Sequence, residues 1–161
     1  MTTLCYNPPM TEIYIDADAC PVREEVYRVA ERLNLKVHVV SNGSRPILPS
    51  RNPNVTMVTV DQGADKADDW IAERITHRDV CVTQDIPLAG RCLEKGAQAL
   101  TPNGKIWVPN NIGNALAGRA VSQHLRELGV ATGGPAPFGK ADRSRFLNAL
   151  DKVVQVALRV G

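Results

Sequence analysis

Residues 13–21 read Ile-Tyr-Ile-Asp-Ala-Asp-Ala-Cys-Pro, and this stretch decides how the chain folds. An apolar run ends in two aspartates one residue apart, and Pro21 opens a segment in which apolar residues keep helical spacing. Proline suits the first helical position because its φ is already fixed near the helical value. The stretch therefore predicts a buried strand over 12–17 that leads into a helix over 21–34.

The rest of the chain repeats this alternation of strand and helix. Apolar, β-branched runs predict strands over 36–40, 54–60, 79–83 and 97–100, and helical spacing predicts helices over 64–76 and 87–95. Alternation of this kind is typical of an α/β fold, a three-layer arrangement in which helices flank a mostly parallel sheet. After residue 101 we expect a short edge strand over 105–108, a helix over 112–128 and a C-terminal helical extension over 141–160.

Length and composition narrow the class of protein. The 161 residues fit a single domain over 10–161, preceded by a disordered extension over 1–9, and the natural start is either Met1 or Met10. Residues 1–9 lack the features of a signal peptide, and no apolar run approaches the ~20 residues that span a bilayer. Scattered cysteines indicate reduced thiols in a cytoplasmic protein, and scattered histidines give a zinc site little support. The oligomeric state is not indicated.

The two parts of the chain differ in charge. Residues 1–101 carry 11 Lys and Arg against 14 Asp and Glu, whereas residues 102–161 carry 8 against 3. This asymmetry is compatible with an acidic metal site beside a basic surface that binds an anion. It is equally compatible with ordinary variation in surface charge.

Two aspartates follow the first strand. Ligands of open α/β sheets bind just past the carboxyl ends of the strands, where Asp16 and Asp18 are expected. Alternation along a strand places both on one side, so their carboxylates can converge. The alternative is that Asp18 caps the helix that begins at Pro21.

Further aspartates follow in the next helix and after the fourth predicted strand. On a helix Asp65 lies three residues before Asp68 and four before Asp69, so the three share a face. The positive end of the helix dipole offers another explanation for Asp65 and Asp68, and it explains Asp69 less well. Asp85 comes just past a strand. The predicted sheet would bring these groups to one edge.

Carboxylates gathered in this way predict a divalent cation. Mg²⁺ and Mn²⁺ prefer oxygen ligands, and two carboxylates with waters and phosphate oxygens form a usual shell. A pair of such ions ~3.5–4 Å apart can activate water and stabilise the leaving oxygen in phosphodiester cleavage. We therefore expect Mg²⁺ or Mn²⁺ as a cofactor. The expected ligands are the aspartates Asp16, Asp18, Asp65, Asp68, Asp69 and Asp85.

The segments Ala-Asp-Asp-Trp-Ile-Ala over 67–72 and Val-Thr-Gln-Asp-Ile-Pro-Leu-Ala over 82–89 resemble the acidic signature of PIN-like and 5′-nuclease domains. In those domains a strand-end aspartate, a helical aspartate pair and a Thr-x-Asp segment hold the metals that cut RNA or DNA. The resemblance implies catalytic roles for Asp16, Asp69 and Asp85. One departure is that no Asp or Glu occurs between Glu31 and Asp61, where PIN nucleases usually carry one.

Residues 10–160 resemble more closely the bacterial YaiI/YqxD family of uncharacterised PIN-like proteins. The resemblance rests on four segments in order: Asp-Ala-Asp-Ala-Cys-Pro over 16–21, Gly-Ala-Asp over 63–65, Asp-Ile-Pro-Leu-Ala over 85–89 and Thr-Gly-Gly-Pro over 132–135. It implies a PIN-like fold and a metal-dependent hydrolase of RNA or DNA.

Two other functions are compatible with the same residues. Asp16 and Asp18 resemble the nucleophile and general acid of haloacid-dehalogenase phosphatases, and Ser41 and Asn42 resemble their phosphate-binding motif, although the helix at Pro21 leaves no room for their usual flap. The third hypothesis is a non-catalytic RNA-binding module in which the aspartates hold a structural cation.

Several residues are candidates for contact with phosphate or nucleic acid. A glycine-rich loop can wrap a phosphate with its backbone amides or can simply turn the chain. Arginines near it can contact phosphates, which makes affinity fall with salt. These candidates are Ser41, Asn42, Arg45, Gly133, Gly134, Arg143 and Arg145. Cys20 is interpreted as a packing residue rather than a reactive thiol, because no histidine partner is evident.

Overall fold

A computed structural model describes residues 11–44, 46–63, 65–114 and 138–159. The predicted extension over 1–9, most of the predicted helix over 112–128 and the glycine-rich loop up to residue 137 lie outside the described residues.

The centre of the fold is a five-stranded sheet in which every strand pair is parallel. The strands are β1 (Glu12–Asp16), β2 (Lys36–Ser41), β3 (Val55–Thr59), β4 (Val80–Val82) and β5 (Gln98–Leu100). Their order across the sheet is β3-β2-β1-β4-β5, so β1 is central. The predicted α/β class, with its parallel sheet, is confirmed.

Helices cover both faces of the sheet, because alternate residues of each buried strand point to opposite sides. The helices are α1 (Arg23–Leu33), α2 (Lys66–Arg74), α3 (Ile86–Glu94), α4, described over 109–114, and α5 (Lys140–Arg159). Ile13 and Ile15 of β1 pack in one core cluster with α1 and α5. Tyr14 packs in the other with α2 and α3. The structure is therefore three-layered, as predicted.

Helix α5 is part of this layered core. Its residues Phe146, Leu150, Val153 and Val154 are fully or almost fully buried in the cluster that contains Ile13 and Ile15. Two ion pairs, Arg32 with Asp151 and Arg143 with Glu25, also join α1 to α5. The predicted C-terminal extension thus forms one of the helices that cover the sheet.

Two boundaries differ from the sequence prediction for local reasons. Residues Ala17–Ala19 form a 3₁₀ turn after β1, so α1 begins at Arg23 rather than at Pro21. The predicted edge strand over 105–108 is reduced to one antiparallel bridge between Leu100 and Ile106. A turn closed by Thr101 and Gly104 returns the chain toward β5, and α4 begins soon afterwards.

Candidate active site

The carboxyl ends of β1 and β4 lie side by side, and they carry two of the predicted acids. Asp16 ends β1, and Asp85 comes three residues after the end of β4. The hydroxyl of Thr83 donates to Asp16 Oδ2 at 2.9 Å and accepts from the backbone N–H of Asp85 at 2.9 Å. Thr83 is buried, so it holds both acidic segments in a fixed relation.

Asp85 is also the N-cap of α3. Its Oδ1 accepts from the backbone N–H of Leu88 at 2.8 Å, and its extended backbone is typical of an N-cap. Pro87 follows within the first turn, where a missing N–H leaves no hydrogen bond unmade. The helix start therefore orients the Asp85 carboxylate at the edge of the sheet.

Asp18 joins the loop after β1 to the loop after β2. Its carboxylate accepts from the backbone N–H of Asn42 at 3.2 Å to the nearer oxygen. Ser41, at the end of β2, accepts from the backbone N–H of Gly43 at 3.0 Å. The alternative in which Asp18 caps α1 is wrong, because the N-cap of α1 is Val22 and no side chain caps it.

The ionisation of Asp68 is affected by the negative charges of Asp16 and Asp85. Burial raises the pKa of Asp68 to about 7, with further contributions from the negative charges of Asp85, Asp16 and Asp65. Burial also raises the pKa of Asp16, and the charges of Asp85 and Asp18 add to that effect, whereas the hydrogen bond from Thr83 opposes it. The negative charges of these carboxylates therefore disfavour one another's ionisation.

Asp69, the neighbour of Asp68, has a different environment. Its carboxylate accepts from Arg91 of α3 at 2.8 Å, and both side chains are about half exposed. Asp65 is exposed and is the N-cap of α2, with a left-handed backbone and no capping hydrogen bond from its side chain. The structure thus gathers Asp16, Asp68 and Asp85 electrostatically, with Asp18 beside Asp16. The catalytic role predicted for Asp69 stays a prediction.

The aspartates at this edge of the sheet are oxygen donors of the kind that Mg²⁺ and Mn²⁺ prefer. Within the described ranges, no three His, Cys, Asp or Glu side chains are grouped so that they could hold a metal ion. Mg²⁺ does not need such a cage, because it is usually held by one or two carboxylates, with waters and substrate phosphates completing its shell. Asp16 and Asp85 are two carboxylates at the same edge of the sheet, which is the number that this smaller requirement asks for.

A cleft of about 770 Å³ opens beside the acidic edge. The residues that flank the two acids, Asp18 and Gln84 among them, form part of its wall. Arg23 and Ile47 lie along it after β1 and β2, and Lys105 and Trp107 after β5. Phe138 closes it at the start of α5. This position agrees with the general location of ligand sites in open α/β sheets.

The remaining predicted residues have other partners or lie outside the described residues. Arg143 donates to Glu25 at 2.9 Å and to the carbonyl of Pro21 at 3.0 Å, and Arg145 pairs with Asp142. Arg45, Gly133 and Gly134 fall outside the described residues. Their predicted roles in phosphate or nucleic-acid binding stay predictions.

Cys20 is buried, as its interpretation as a packing residue requires. Burial raises the pKa of its thiol to about 11, although Arg23 and a backbone hydrogen bond oppose this. A thiol with a raised pKa is a poor nucleophile at neutral pH.

Sequence reasoning missed three residues of the site. Thr83 lies within the Thr-x-Asp segment, but its bond to Asp16 depends on the pairing of β1 with β4. Arg23 and Lys105 carried no local signal, because the start of α1 and the segment after β5 bring them to the same cleft from distant parts of the sequence.

Among the described helices, none combines the length and the apolar content that crossing a membrane requires.

The fold and the site define a class: a three-layer α/β protein with carboxylates at the carboxyl edge of its central strands. Within that class, the chain belongs to the family described as "Uncharacterized BCR, YaiI/YqxD family", whose model matches residues 14–156. The resemblance stated from the sequence is confirmed.

Relatives match over almost the whole chain. A UPF0178 protein of Paramagnetospirillum magneticum is 55% identical over 94% of this chain and 99% of its own length. A UPF0178 protein of Rhodospirillum rubrum is 52% identical over 92% of this chain and 98% of its own length. A UPF0178 protein of Caulobacter sp. (strain K31) is 52% identical over 94% of this chain and 99% of its own length. No solved structure matches the chain.

Proposed function

We propose that the protein is a divalent-metal-dependent nuclease that hydrolyses phosphodiester bonds of RNA or DNA at the edge formed by Asp16 and Asp85. The observation that carries this proposal is the bridge made by Thr83, whose hydroxyl contacts the Asp16 carboxylate and the Asp85 backbone, both at 2.9 Å. The bridge joins the Asp16 carboxylate, at the end of β1, to the backbone of Asp85, at the start of α3, and both lie at the edge of the sheet where a phosphate-bearing ligand would approach.

The proposal gives each acid a role. Asp16 and Asp85 would hold Mg²⁺ or Mn²⁺, and Asp68 would add the third negative charge. When bound, such an ion would lower the pKa of a coordinated water and stabilise the leaving oxygen. Thr83 would position Asp16, and the N-terminus of α3 would position Asp85.

The electrostatics of the cluster support a cation there. Asp68 has a pKa of about 7 because its ionisation is opposed by burial and by neighbouring carboxylates. A bound divalent cation would neutralise these charges and favour the ionised form of each acid. The cluster therefore has an electrostatic reason to take up a cation.

A cleavage assay tests the proposal. The protein is incubated with Mn²⁺ and, separately, with single-stranded RNA, single-stranded DNA and a generic phosphomonoester. We expect cutting of a polymer that is lost in Asp16→Asn and in Asp85→Asn. Asparagine remains a good N-cap, so a loss in Asp85→Asn would not reflect a missing cap. Intact polymers, or cutting that survives both substitutions, would overturn the proposal.

The neighbouring acids of α2 provide a matched pair. If the gathered cluster is the site, Asp68→Asn should impair cutting more than Asp69→Asn, which removes the partner of Arg91 at 2.8 Å. The opposite order would support the catalytic role that the sequence assigns to Asp69.

A phosphatase of the haloacid-dehalogenase type is the second candidate. The observation that favours it is the 3.2 Å contact between the Asp18 carboxylate and the Asn42 backbone, which places the second aspartate at the end of β2. This enzyme would release phosphate from the monoester, depend on Asp16 and Asp18, and form a covalent phosphate on Asp16. Binding of a polymer without cleavage would favour the non-catalytic module.

A further inference from the structure

The two acids in the wall of the cleft are engaged by groups of the protein itself. Asp18 accepts from the backbone N–H of Asn42 at 3.2 Å. Asp142 accepts from the backbone N–H of Gly139 at 2.9 Å and also pairs with Arg145. These contacts offset part of the negative charge that the two acids bring to the cleft.

The cleft also contains two cations, Arg23 and Lys105. Among the described residues, no carboxylate lies within ion-pair distance of Arg23 or Lys105. Arg23 is held in place because its Nη1 donates to the carbonyls of Cys20 at 3.0 Å and Ala17 at 3.5 Å. The cleft therefore offers positive charge to a ligand, and a phosphate group is the common anion that meets it.

Two aromatic side chains, Trp107 and Phe138, also line the cleft, together with apolar residues and the polar residues Gln84, Thr101 and Asn103. Trp107 is buried, and its indole N–H donates to the carbonyl of Thr83 at 3.1 Å. Phe138 is partly exposed, and the guanidinium of Arg143 lies 5.0 Å from the centre of its ring. Thr83 thus connects this wall to Asp16. An aromatic ring beside cations suits a flat base attached to a phosphate.

The size of the cleft limits its ligand. A volume of about 770 Å³ falls within the range of pockets that enclose one small organic ligand. A double helix is far wider, and its bases are stacked and paired, so they cannot lie against Phe138.

We propose that this cleft binds a nucleotide unit with an unpaired base, whose base lies against Phe138 and whose phosphate lies between Arg23 and Lys105. This inference rests on the proposed function, because it names the substrate unit that would bind beside Asp16 and Asp85, whose chain neighbours Ala17, Gln84 and Ile86 line the cleft. The same unit can come from a free nucleoside monophosphate or from a single strand.

Binding is measured with EDTA present, so that neither metal nor cleavage contributes. The probes are a fluorescent single-stranded thymidine oligonucleotide, a blunt duplex and unlabelled thymidine monophosphate as competitor. We expect the single strand to bind and the duplex to bind far more weakly. Competition by the monophosphate would identify the free nucleotide as sufficient, and its failure would identify the strand as the source.

Two substitutions test the named contacts. Phe138→Ala should weaken binding about tenfold, the effect of removing one base-stacking ring, and Phe138→Tyr should restore it. Lys105→Ala should weaken binding and lower the salt slope by about one. Lys140→Ala and Leu48→Ala remove exposed side chains that do not line the cleft, and they serve as matched controls. Melting temperatures establish that the variants are folded.

The outcomes separate this inference from the proposed function. Absence of single-strand binding, equal binding of the duplex, or wild-type affinity in both Phe138→Ala and Lys105→Ala would overturn the inference. If binding depends on Phe138 and Lys105 but the protein cuts neither polymer, the proposed nucleotide site in the cleft would be supported and the proposed nuclease activity would be overturned. Asp16→Asn should keep the binding and lose the cutting.

Discussion

The hydroxyl of Thr83 donates a hydrogen bond of 2.9 Å to the carboxylate of Asp16, between the ends of two neighbouring strands. Thr83 is almost fully buried and also accepts from the indole of Trp107 through its carbonyl at 3.1 Å. One residue therefore connects the acidic edge with the wall of the cleft, and its removal should affect both.

Replacing Thr83 by valine keeps the shape of the side chain and removes the hydroxyl. Asp16 then loses a donor in a partly buried place, so the free energy of unfolding should fall by about 1–3 kcal/mol. The pKa of Asp16 should rise further, because the hydrogen bond from Thr83 lowers it. Urea unfolding and an NMR titration of the Asp16 carboxyl measure these changes. Thr83→Ser, which keeps the hydroxyl, should stay closer to the wild type in both; equal behaviour of the two variants would refute the role of the bond.

Asp68 should make stability depend on pH. Its pKa rises from 3.8 to about 7 on folding, so between these values the native state binds more protons than the unfolded state. Stability should therefore fall as the pH rises through this window and become level above it. In Asp68→Asn the part of this loss that Asp68 causes should disappear, whereas the raised pKa values of Asp16 and Asp79 remain, so the variant should gain stability relative to the wild type as the pH rises from about 4 to about 7.

Urea midpoints measured across this pH range test the effect, with Asp69→Asn as the control. A stability difference between Asp68→Asn and the wild type that does not change with pH would contradict the raised pKa of Asp68.

The sequence was sufficient to place the first acid. The apolar run before Asp16 predicts a buried strand, and alternating strands and helices predict that its carboxyl end lies at a ligand-binding edge. The resemblance to PIN-like domains favoured Asp69 over Asp68 as the catalytic acid. The sequence could not show their different environments, because both lie in the first turn of α2 and their partners come from other elements. Asp68 meets the charges of Asp16 and Asp85, and Asp69 meets Arg91.

The burial of Glu25 also escaped prediction, because charged residues on a helix are usually exposed. Its side chain is only 6% exposed, and Arg143, which comes over a hundred residues later, supplies its partner. Local sequence contains no information about such a pairing between α1 and α5.

The ion pair of Arg143 with Glu25 should contribute more to the free energy of unfolding than the pair of Arg32 with Asp151, which joins the same two helices. Removing Arg143 in Arg143→Ala leaves the buried Glu25 charge without its partner, which should cost about 1–3 kcal/mol. The pair of Arg32 and Asp151 is 60% and 48% exposed, so Arg32→Ala should cost at most about 1 kcal/mol. Urea unfolding of both variants makes the comparison, and equal losses would contradict the assigned burial. The double variant of Arg143→Ala with Glu25→Gln should recover part of the stability, because no unpaired charge remains.

Two glycines should respond in opposite directions to alanine. Gly104 has φ +93°, and an added Cβ would lie 2.7 Å from the backbone carbonyl of Arg145 in α5. Gly104→Ala should therefore destabilise the protein by more than about 2 kcal/mol. Gly90 lies inside α3 with nothing within 4 Å of an added Cβ, so Gly90→Ala should stabilise it by about 0.5–1 kcal/mol. Thermal unfolding decides the signs; a stable Gly104→Ala would mean that the turn and α5 are not packed as described.

The most direct test of the central claim is the melting temperature of the protein as Mn²⁺ is added. If Asp16 and Asp85 hold a cation, Mn²⁺ should raise the melting temperature in the manner of a ligand that binds the native state. Asp16→Asn and Asp85→Asn should lose most of that gain, and Asp69→Asn should keep it. A wild-type melting temperature that does not respond to millimolar Mn²⁺, or an equal rise in Asp16→Asn, would contradict the claim.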